Sequence, residues 1–207
     1  VHKGVVEHTF EKVQEDVGLI VHLNAATDVG PDPNNKVIVG EVKRAVRLGA
    51  DAVSVHINVG SETEPHQLQD LGRIADECDE YGMPLLAMTY VRGPEVEANV
   101  ENVAHATRLG AELGADVVKT SYTGDPEEYR SVIEGCPVPV VLAGGPKAET
   151  KREVLADIRE AMDVGARGVA MGRNVFQQDD VEAMTRAVSR VVHDGASVEE
   201  ALSEVER

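Results

Sequence analysis

Lys119 is the residue of this sequence whose type and position point most directly to chemistry. It lies in the run Asp116-Val117-Val118-Lys119-Thr120-Ser121, where a short apolar strand is predicted to give way to a polar loop. Burial between valines disfavours the ammonium form of a lysine and lowers its pKa. A neutral amine at the end of a strand is what Schiff-base chemistry on a carbonyl substrate requires. The alternative is a lysine whose ammonium group extends past the strand end into water.

Two glycine turns follow the last two predicted strands, Gly144-Gly145 and Gly172-Arg173. Glycine lets backbone N–H groups approach an anion closely, and the Arg173 guanidinium can add a charge-assisted hydrogen bond. Either turn alone could use glycine for backbone geometry only. The two turns together predict a phosphate site.

Other polar side chains stand at predicted strand ends. Tyr90 has a phenol that could transfer a proton, although an interior tyrosine with a satisfied hydroxyl is the simpler interpretation. His22 and His56 could be general bases or metal ligands. Their spacing matches no metal-binding motif, so we expect no metal and interpret them as satisfied interior groups. Cys78 lies in an acidic helical segment that should raise its thiol pKa, which argues against a nucleophilic role.

These side chains depend on a repeated pattern of elements. Leu48-Gly49-Ala50, Leu113-Gly114-Ala115 and Val164-Gly165-Ala166 are each predicted to end a helix at glycine and begin a strand. Asp125 is predicted to cap a helix that begins at Pro126. The predicted helices are 37–48, 65–81, 95–113 and 151–164, and the predicted strands are 17–23, 52–57, 84–90, 116–121, 139–143 and 168–172.

The strict alternation of strands and helices indicates an α/β fold. The strands are near-continuous apolar runs, as in a parallel sheet covered on both faces. No GxGxxG fingerprint follows a strand, so a TIM (β/α)8 barrel is favoured over a doubly wound open sheet. Residues 1–4 resemble the tail of a seventh strand. We therefore expect one barrel domain over residues 1–207, lacking the first strand and its helix.

The charge balance excludes several partners. There are 37 acidic against 20 basic residues and a net charge of −17. Such a surface repels nucleic acid and anionic membranes, and we expect neither as a partner. Acidic pairs such as Asp179-Asp180 are predicted on solvent-facing helices, typical of a halophilic protein from a high-salt cytoplasm. Two cysteines in unrelated contexts fit a reducing cytoplasm.

Three motifs together resemble the archaeal-type class I aldolases, which are Schiff-base (β/α)8 barrels. They are Lys119-Thr120-Ser121-Tyr122-Thr123-Gly124-Asp125-Pro126, Gly144-Gly145-Pro146-Lys147 and Gly172-Arg173-Asn174-Val175-Phe176-Gln177. The resemblance implies that Lys119 forms the imine and that Tyr90 transfers a proton. It also implies a homo-oligomer without a cofactor, whose phosphorylated sugar and aldehyde substrates contact Arg92 and the two glycine turns.

The sequence departs from the family at two places. Val91 stands where the family usually has proline, in Tyr90-Val91-Arg92-Gly93. The family also has a proton-transferring aspartate on its first strand, which we expect to precede residue 1. For this reason we expect weak turnover from residues 1–207 alone.

Segments 22–27, 30–37 and 54–61 look most like one branch of the family, the heptulosonate synthases of archaeal aromatic amino-acid synthesis. The branch implies a transaldol transfer from a ketose phosphate to L-aspartate semialdehyde. Class I fructose-bisphosphate aldolase is the first alternative, and His56 and Asn58 are the residues expected to discriminate between the two. A non-catalytic sugar-phosphate-binding barrel is the second alternative. The absence of clustered metal ligands argues against a class II aldolase.

Overall fold

The computed structural model describes residues 1–9 and 17–205. Strands and helices alternate along most of this part of the chain. The elements are α1 (Lys3–Thr9), β1 (Ile20–His22), β2 (Asn24–Ala25), β3 (Val37–Ile38), α2 (Val42–Arg47), β4 (Ala52–Val59), α3 (Glu64–Tyr81), β5 (Leu85–Val91), α4 (Val100–Glu112), β6 (Val117–Thr120), α5 (Pro126–Glu134), β7 (Val140–Ala143), α6 (Lys151–Asp163), β8 (Val169–Ala170), α7 (Arg173–Phe176), α8 (Val181–His193) and α9 (Val198–Val205).

The chain divides into two compact units. The first consists of Val1–Ala98 and His105–Val118, and the second of Asn99–Ala104 and Lys119–Arg207. The boundary falls within β6, so Lys119 is the first residue of that strand in the second unit. The expectation of a single barrel domain stays a prediction.

The first unit is built on parallel strands. β4 pairs with β1 and with β5, so that Val53 lies beside both Val21 and Leu85. Val55 and Ile57 of β4 are also fully buried. Burying an aliphatic side chain of this size contributes about 1.5–3 kcal/mol, which makes β4 the apolar centre of the unit. The same strand carries the polar side chains of His56 and Asn58 in its second half.

The second unit combines the parallel pair β7 and β8, in which Leu142 lies beside Val169, with a layer of helices. α6, α8 and α9 pack on one another through buried side chains that include Ile158, Met184 and Leu202. α6 begins with a capping box between Thr150 and Glu153, as its sequence favours.

The predicted helix over residues 37–48 is wrong in its first part. Val37–Ile38 forms β3, which pairs antiparallel with β2, and the helix begins only at Val42. The N–H groups of Val39 and Gly40 both donate to the Leu23 carbonyl, at 2.8 and 3.0 Å. The β-branched run is therefore extended because a distant strand satisfies its backbone.

Two other predicted boundaries are wrong. α4 begins at Val100 and not at residue 95, since the Asn99 side chain accepts a hydrogen bond from the Asn102 N–H at 2.9 Å and marks the helix start. Residues 1–4 are not the tail of a strand, because α1 begins at Lys3. Only Val1 lies against β1, where its carbonyl accepts from the His22 N–H at 2.8 Å.

The local turn chemistry is confirmed. Gly49, Gly82, Gly114 and Gly165 all have positive φ at the ends of helices, where a side chain would be strained. The Asp125 carboxylate accepts from the N–H groups of two residues in the first turn of α5, and Pro126 is the first residue of that helix. Over residues 1–9 and 17–205, no helix is long and apolar enough to cross a membrane.

Candidate active site

Lys119 is half-buried in the last part of β6. Burial lowers the pKa of its ammonium group, in the direction that the sequence predicts. No described residue of the second unit forms a hydrogen bond or an ion pair with Lys119 Nζ. An amine that is desolvated and unpaired in this way is suited to attack a carbonyl carbon.

Asn174 holds the first glycine turn in place. This buried side chain donates through Nδ2 to the carbonyls of Gly144 and Pro146, and its Oδ1 accepts from the Ala148 N–H at 2.9 Å. Arg173 Nη2 donates to the Gly145 carbonyl at 3.1 Å. The turns after β7 and β8 are therefore tied together, as a shared anion site would require. The motif containing Asn174 was visible in the sequence, but its positioning role was not.

The local structure requires glycine at both Gly144 and Gly145. A Cβ at Gly144 would lie 2.9–3.1 Å from Met171 atoms, including its backbone, and Gly145 has φ +59°. The turn borders a cavity of about 420 Å³ that Lys147 and Asn174 also line. Gly172 and Arg173 are not among the residues that line it. The predicted phosphate site at the two turns stays a prediction.

We expect replacement of Asn174 by alanine to raise KM for a phosphorylated substrate about tenfold, with a smaller effect on kcat. The variant leaves two carbonyls and one N–H of the turn without their partner, at a cost of about 1–3 kcal/mol. Steady-state kinetics with a thermal melt measures this, and Gln177→Ala, an exposed neighbour, is the control. Unchanged KM with a lowered melting temperature would show that Asn174 serves stability alone.

In the first unit, Tyr90 stands near the end of β5, and its ring contacts Arg92 and His56. The Arg92 guanidinium carbon lies 4.8 Å from the centre of the Tyr90 ring. The His56 ring lies on the other strand of the pair, with its centre 4.9 Å from that of Tyr90. Burial raises the pKa of the Tyr90 phenol, and the Arg92 charge opposes this only in part. The phenol therefore holds its proton at neutral pH.

His56 and Asn58 are joined in one polar network. His56 Nε2 donates to Asn58 Oδ1 at 2.8 Å, while the Asn58 N–H donates to Gln67 Oε1 at 2.9 Å and Asn58 Nδ2 to the Asn34 carbonyl at 2.8 Å. Asn58 is fully buried. These contacts give Asn58 a role in orienting His56, and its predicted role in substrate discrimination stays a prediction. Gln67 was not found from the sequence, because on a helix it has no motif around it.

The imidazole of His56 is neutral. Burial lowers its pKa to about 3, and the positive charges of Lys36, Arg92 and His22 add to this against the opposing hydrogen bond with Asn58. Because Nε2–H points at Asn58, the tautomer is set by the network. His22 Nδ1 lies 2.9 Å from Ser54 Oγ, which fits the satisfied interior group predicted for it.

Gly93 explains how Arg92 is held. A Cβ at Gly93 would lie 1.7 Å from the Gly60 carbonyl oxygen, so the chain after β5 passes directly over the chain after β4. The Arg92 N–H donates to the Val59 carbonyl at 2.9 Å. Only glycine permits this approach, and it fixes the backbone that carries the guanidinium.

Cys78 is buried in α3, and its thiol pKa is raised to about 12. Burial is the main cause, with Asp116 and Glu77 adding to it, so the predicted direction is right although the acidic setting is the smaller contribution. In the part of the chain that the structure describes, no group of three or more His, Cys, Asp or Glu residues could hold a metal ion.

The fold is that of the class I aldolase barrels, as the sequence predicted. A solved archaeal fructose-1,6-bisphosphate aldolase with its catalytic lysine bound to a carbinolamine intermediate superposes with a TM-score of 0.87. It shares 34% identity over 93% of this chain and 76% of that structure. The sequence profile of the DeoC/LacD family aldolases matches residues 1–178. The chain belongs to this family and is an enzyme of the class I aldolase type.

Within this family, the chain is similar in sequence to curated enzymes that are named as synthases of seven-carbon amino acids. The 2-amino-3,7-dideoxy-D-threo-hept-6-ulosonate synthase of Halobacterium salinarum is 52% identical over 91% of this chain and 71% of the relative. The 2-amino-4,5-dihydroxy-6-oxo-7-(phosphonooxy)heptanoate synthase of Streptomyces griseus is 44% identical over 95% of this chain and 72% of the relative.

Proposed function

We propose that this protein makes 2-amino-3,7-dideoxy-D-threo-hept-6-ulosonate from a ketose phosphate and L-aspartate semialdehyde, in aromatic amino-acid biosynthesis. The observation that carries the proposal is the difference in sequence identity to relatives with the two candidate activities. The relative of that name is 52% identical, whereas the solved fructose-bisphosphate aldolase, which represents the alternative activity, is 34% identical.

The proposed reaction uses Lys119 as the nucleophile. The neutral amine attacks a ketone of 6-deoxy-5-ketofructose 1-phosphate, and loss of water gives an imine. Cleavage of a carbon–carbon bond releases one fragment as an aldehyde and leaves an enamine on Lys119. The enamine carbon adds to the aldehyde of L-aspartate semialdehyde, and water then hydrolyses the new imine to free the product.

Tyr90 is proposed to transfer the proton to or from the oxygen on the aldehyde carbon whose carbon–carbon bond breaks or forms. Its raised pKa supports this, since a protonated phenol can donate when an alkoxide develops. Gly144, Gly145, Gly172 and Arg173 are proposed to bind the phosphate, and the hydrogen bonds that tie their turns together support this. Arg92 is proposed to bind an anionic part of a substrate.

The purified protein offered both substrate pairs tests the proposal. We expect formation of the heptulosonate from the ketose phosphate and L-aspartate semialdehyde, detected by mass spectrometry. Cleavage of fructose 1,6-bisphosphate should be at least about tenfold slower, because an acceptor-specific site binds the wrong substrate less well. Fructose 1,6-bisphosphate cleavage without heptulosonate formation would assign the protein to the alternative.

A cytoplasmic location and a homo-oligomeric state are part of the same proposal. Cys78 and Cys136 are both buried, and neither is part of a disulfide, which fits a reducing compartment. The oligomeric state rests on the family resemblance, and sedimentation of the purified protein measures it.

A further inference from the structure

Lys36 is a cation whose charge acts on Arg92 and His56, the two residues that contact the Tyr90 ring; these three residues and Lys36 are called the Tyr90 cluster below. Lys36 lies in segment 30–37, but the proposed reaction gives it no role. It lies just before β3 and is half-buried, and its ammonium group donates to the Pro33 carbonyl at 2.8 Å. Arg92, the other cation of this cluster, is exposed and rests on the Tyr90 ring. Among residues 1–9 and 17–205, no carboxylate forms an ion pair with either side chain.

The absence of ion pairs on these two cations is notable in so acidic a chain. The protein has 37 acidic residues, and eight of its arginines form ion pairs with carboxylates in the described residues. Two neighbouring cations left without such a partner repel each other. Groups whose pKa is shifted by burial and by a neighbouring like charge cluster at functional sites, which makes these two cations candidates for binding an anion.

The segment that carries Lys36 is held firmly in place. The Asn34 carbonyl accepts from both Asn58 Nδ2 and Gln67 Nε2, at 2.8 and 2.9 Å, and the Asn34 N–H donates to Asp32 Oδ1 at 2.8 Å. Asn58 is the direct neighbour of Tyr90 across the paired strands. Lys36 and Arg92 are therefore presented by loops anchored on two adjacent strand ends.

The electrostatics of the cluster agree with this arrangement. Burial and the positive charge of Arg92 lower the pKa of Lys36, while Asp28 and Asp32 act in the opposite direction. The same two cations contribute to the lowered pKa of His56. An anion bound between them would relieve the repulsion and replace the water lost on burial.

We propose that Lys36 and Arg92 together bind the carboxylate of the aldehyde acceptor. This inference rests on the proposed function, in which that acceptor is an amino acid semialdehyde. The two curated relatives described above are named for products that are amino carboxylates. The glycine turns of the second unit are proposed for the phosphate, so the carboxylate is the anionic group that remains for Arg92 and, beside it, Lys36.

Lys36→Met tests the proposal kinetically. Losing one charge-assisted contact should raise KM for the acceptor about tenfold or more. Trapping of the ketose phosphate on Lys119 with borohydride should change less than about twofold, because the acceptor takes no part in that step. Lys36→Arg should recover most of the affinity, and Lys43→Met, an exposed lysine of α2, is the control. Unchanged acceptor KM, or equal rises for donor and acceptor, would overturn the proposal.

A binding experiment separates this inference from the proposed function, since it needs no turnover. Malonate, a simple dicarboxylate, is titrated into the protein while the His56 ring signals are followed by NMR, with assignment from a His56→Asn variant. We expect a saturable shift in the unmodified protein and in Lys43→Met that Lys36→Met lacks. No shift, or a stronger response to inorganic phosphate than to malonate, would overturn the carboxylate site. A Lys36-dependent malonate shift in a protein that makes no heptulosonate would refute the proposed function alone.

Discussion

Replacing Lys119 by methionine is expected to abolish turnover, with a loss in kcat of about 10⁴-fold or more. Methionine keeps the length and apolar character of the half-buried side chain but has no nitrogen to attack a ketone. Lys119→Arg should be equally inactive, because a guanidinium stays protonated at all working pH values. Borohydride reduction with the ketose phosphate, followed by peptide mapping, should place one adduct on Lys119 of the unmodified protein and none on either variant.

The pH dependence of the adduct gives a second measurement on the same residue. Burial lowers the pKa of Lys119, so the neutral amine is present at lower pH than for a free lysine, whose pKa is about 10.4. The rate of adduct formation should rise with pH through this lowered pKa and level off above it. A midpoint at or above the free value would contradict a desolvated nucleophile.

Lys43→Met is the matched control for Lys119→Met, because it removes a lysine of the exposed face of α2. Its adduct and its turnover should be those of the unmodified protein. If no ketose-dependent adduct forms on Lys119 of the unmodified protein, the imine-forming role is wrong and a non-catalytic sugar-phosphate-binding barrel is favoured.

Removing the phenol of Tyr90 is expected to have the second largest effect. Tyr90→Phe should lower kcat by about 10²–10⁴-fold, the usual loss when a positioned acid–base group is removed. The ring remains, so its contacts with Arg92 and His56 should persist and the thermal melt should change little. Stopped-flow or quenched assays of carbon–carbon bond formation measure the loss.

Tyr81→Phe is the control for Tyr90→Phe, since the Tyr81 side chain is exposed at the end of α3. Burial raises the pKa of Tyr90, so the phenol of the unmodified protein keeps its proton at neutral and moderately alkaline pH. Tyr90→Phe has no phenol, so lowering the pH should not restore its rate. A residue that takes no part in proton transfer should change kcat by no more than about threefold when replaced. A change that small in Tyr90→Phe would contradict the proton-transfer role.

Local patterns predicted much of the framework because their causes lie within a few residues. Glycine after Leu48, Leu113 or Val164 predicted a helix end, and each of these glycines has positive φ. Asp125 before Pro126 predicted a helix start, and the carboxylate caps that helix. The same reasoning failed at Val37–Ile38, where pairing with Asn24–Ala25 decided the conformation over a distance in sequence that no local pattern covers.

The sequence by itself determined the alternation of strands and helices, the strand-end position of Lys119 and the glycine turns, since apolar periodicity and turn chemistry are local properties. Only the tertiary structure decided which polar groups support one another. Asn58 meets Asn34 and Gln67, and Asn174 meets the turn at Gly144, through contacts between residues far apart in the chain. The charge of Lys36 helps to lower the pKa of His56, which is also distant in sequence. Burial, which sets the pKa values of Lys119 and His56, is likewise a property of the packed molecule. Hence Lys119 could be proposed as the nucleophile from the order of the residues, whereas the proposed role of Lys36 beside Arg92 could be inferred only from the folded chain.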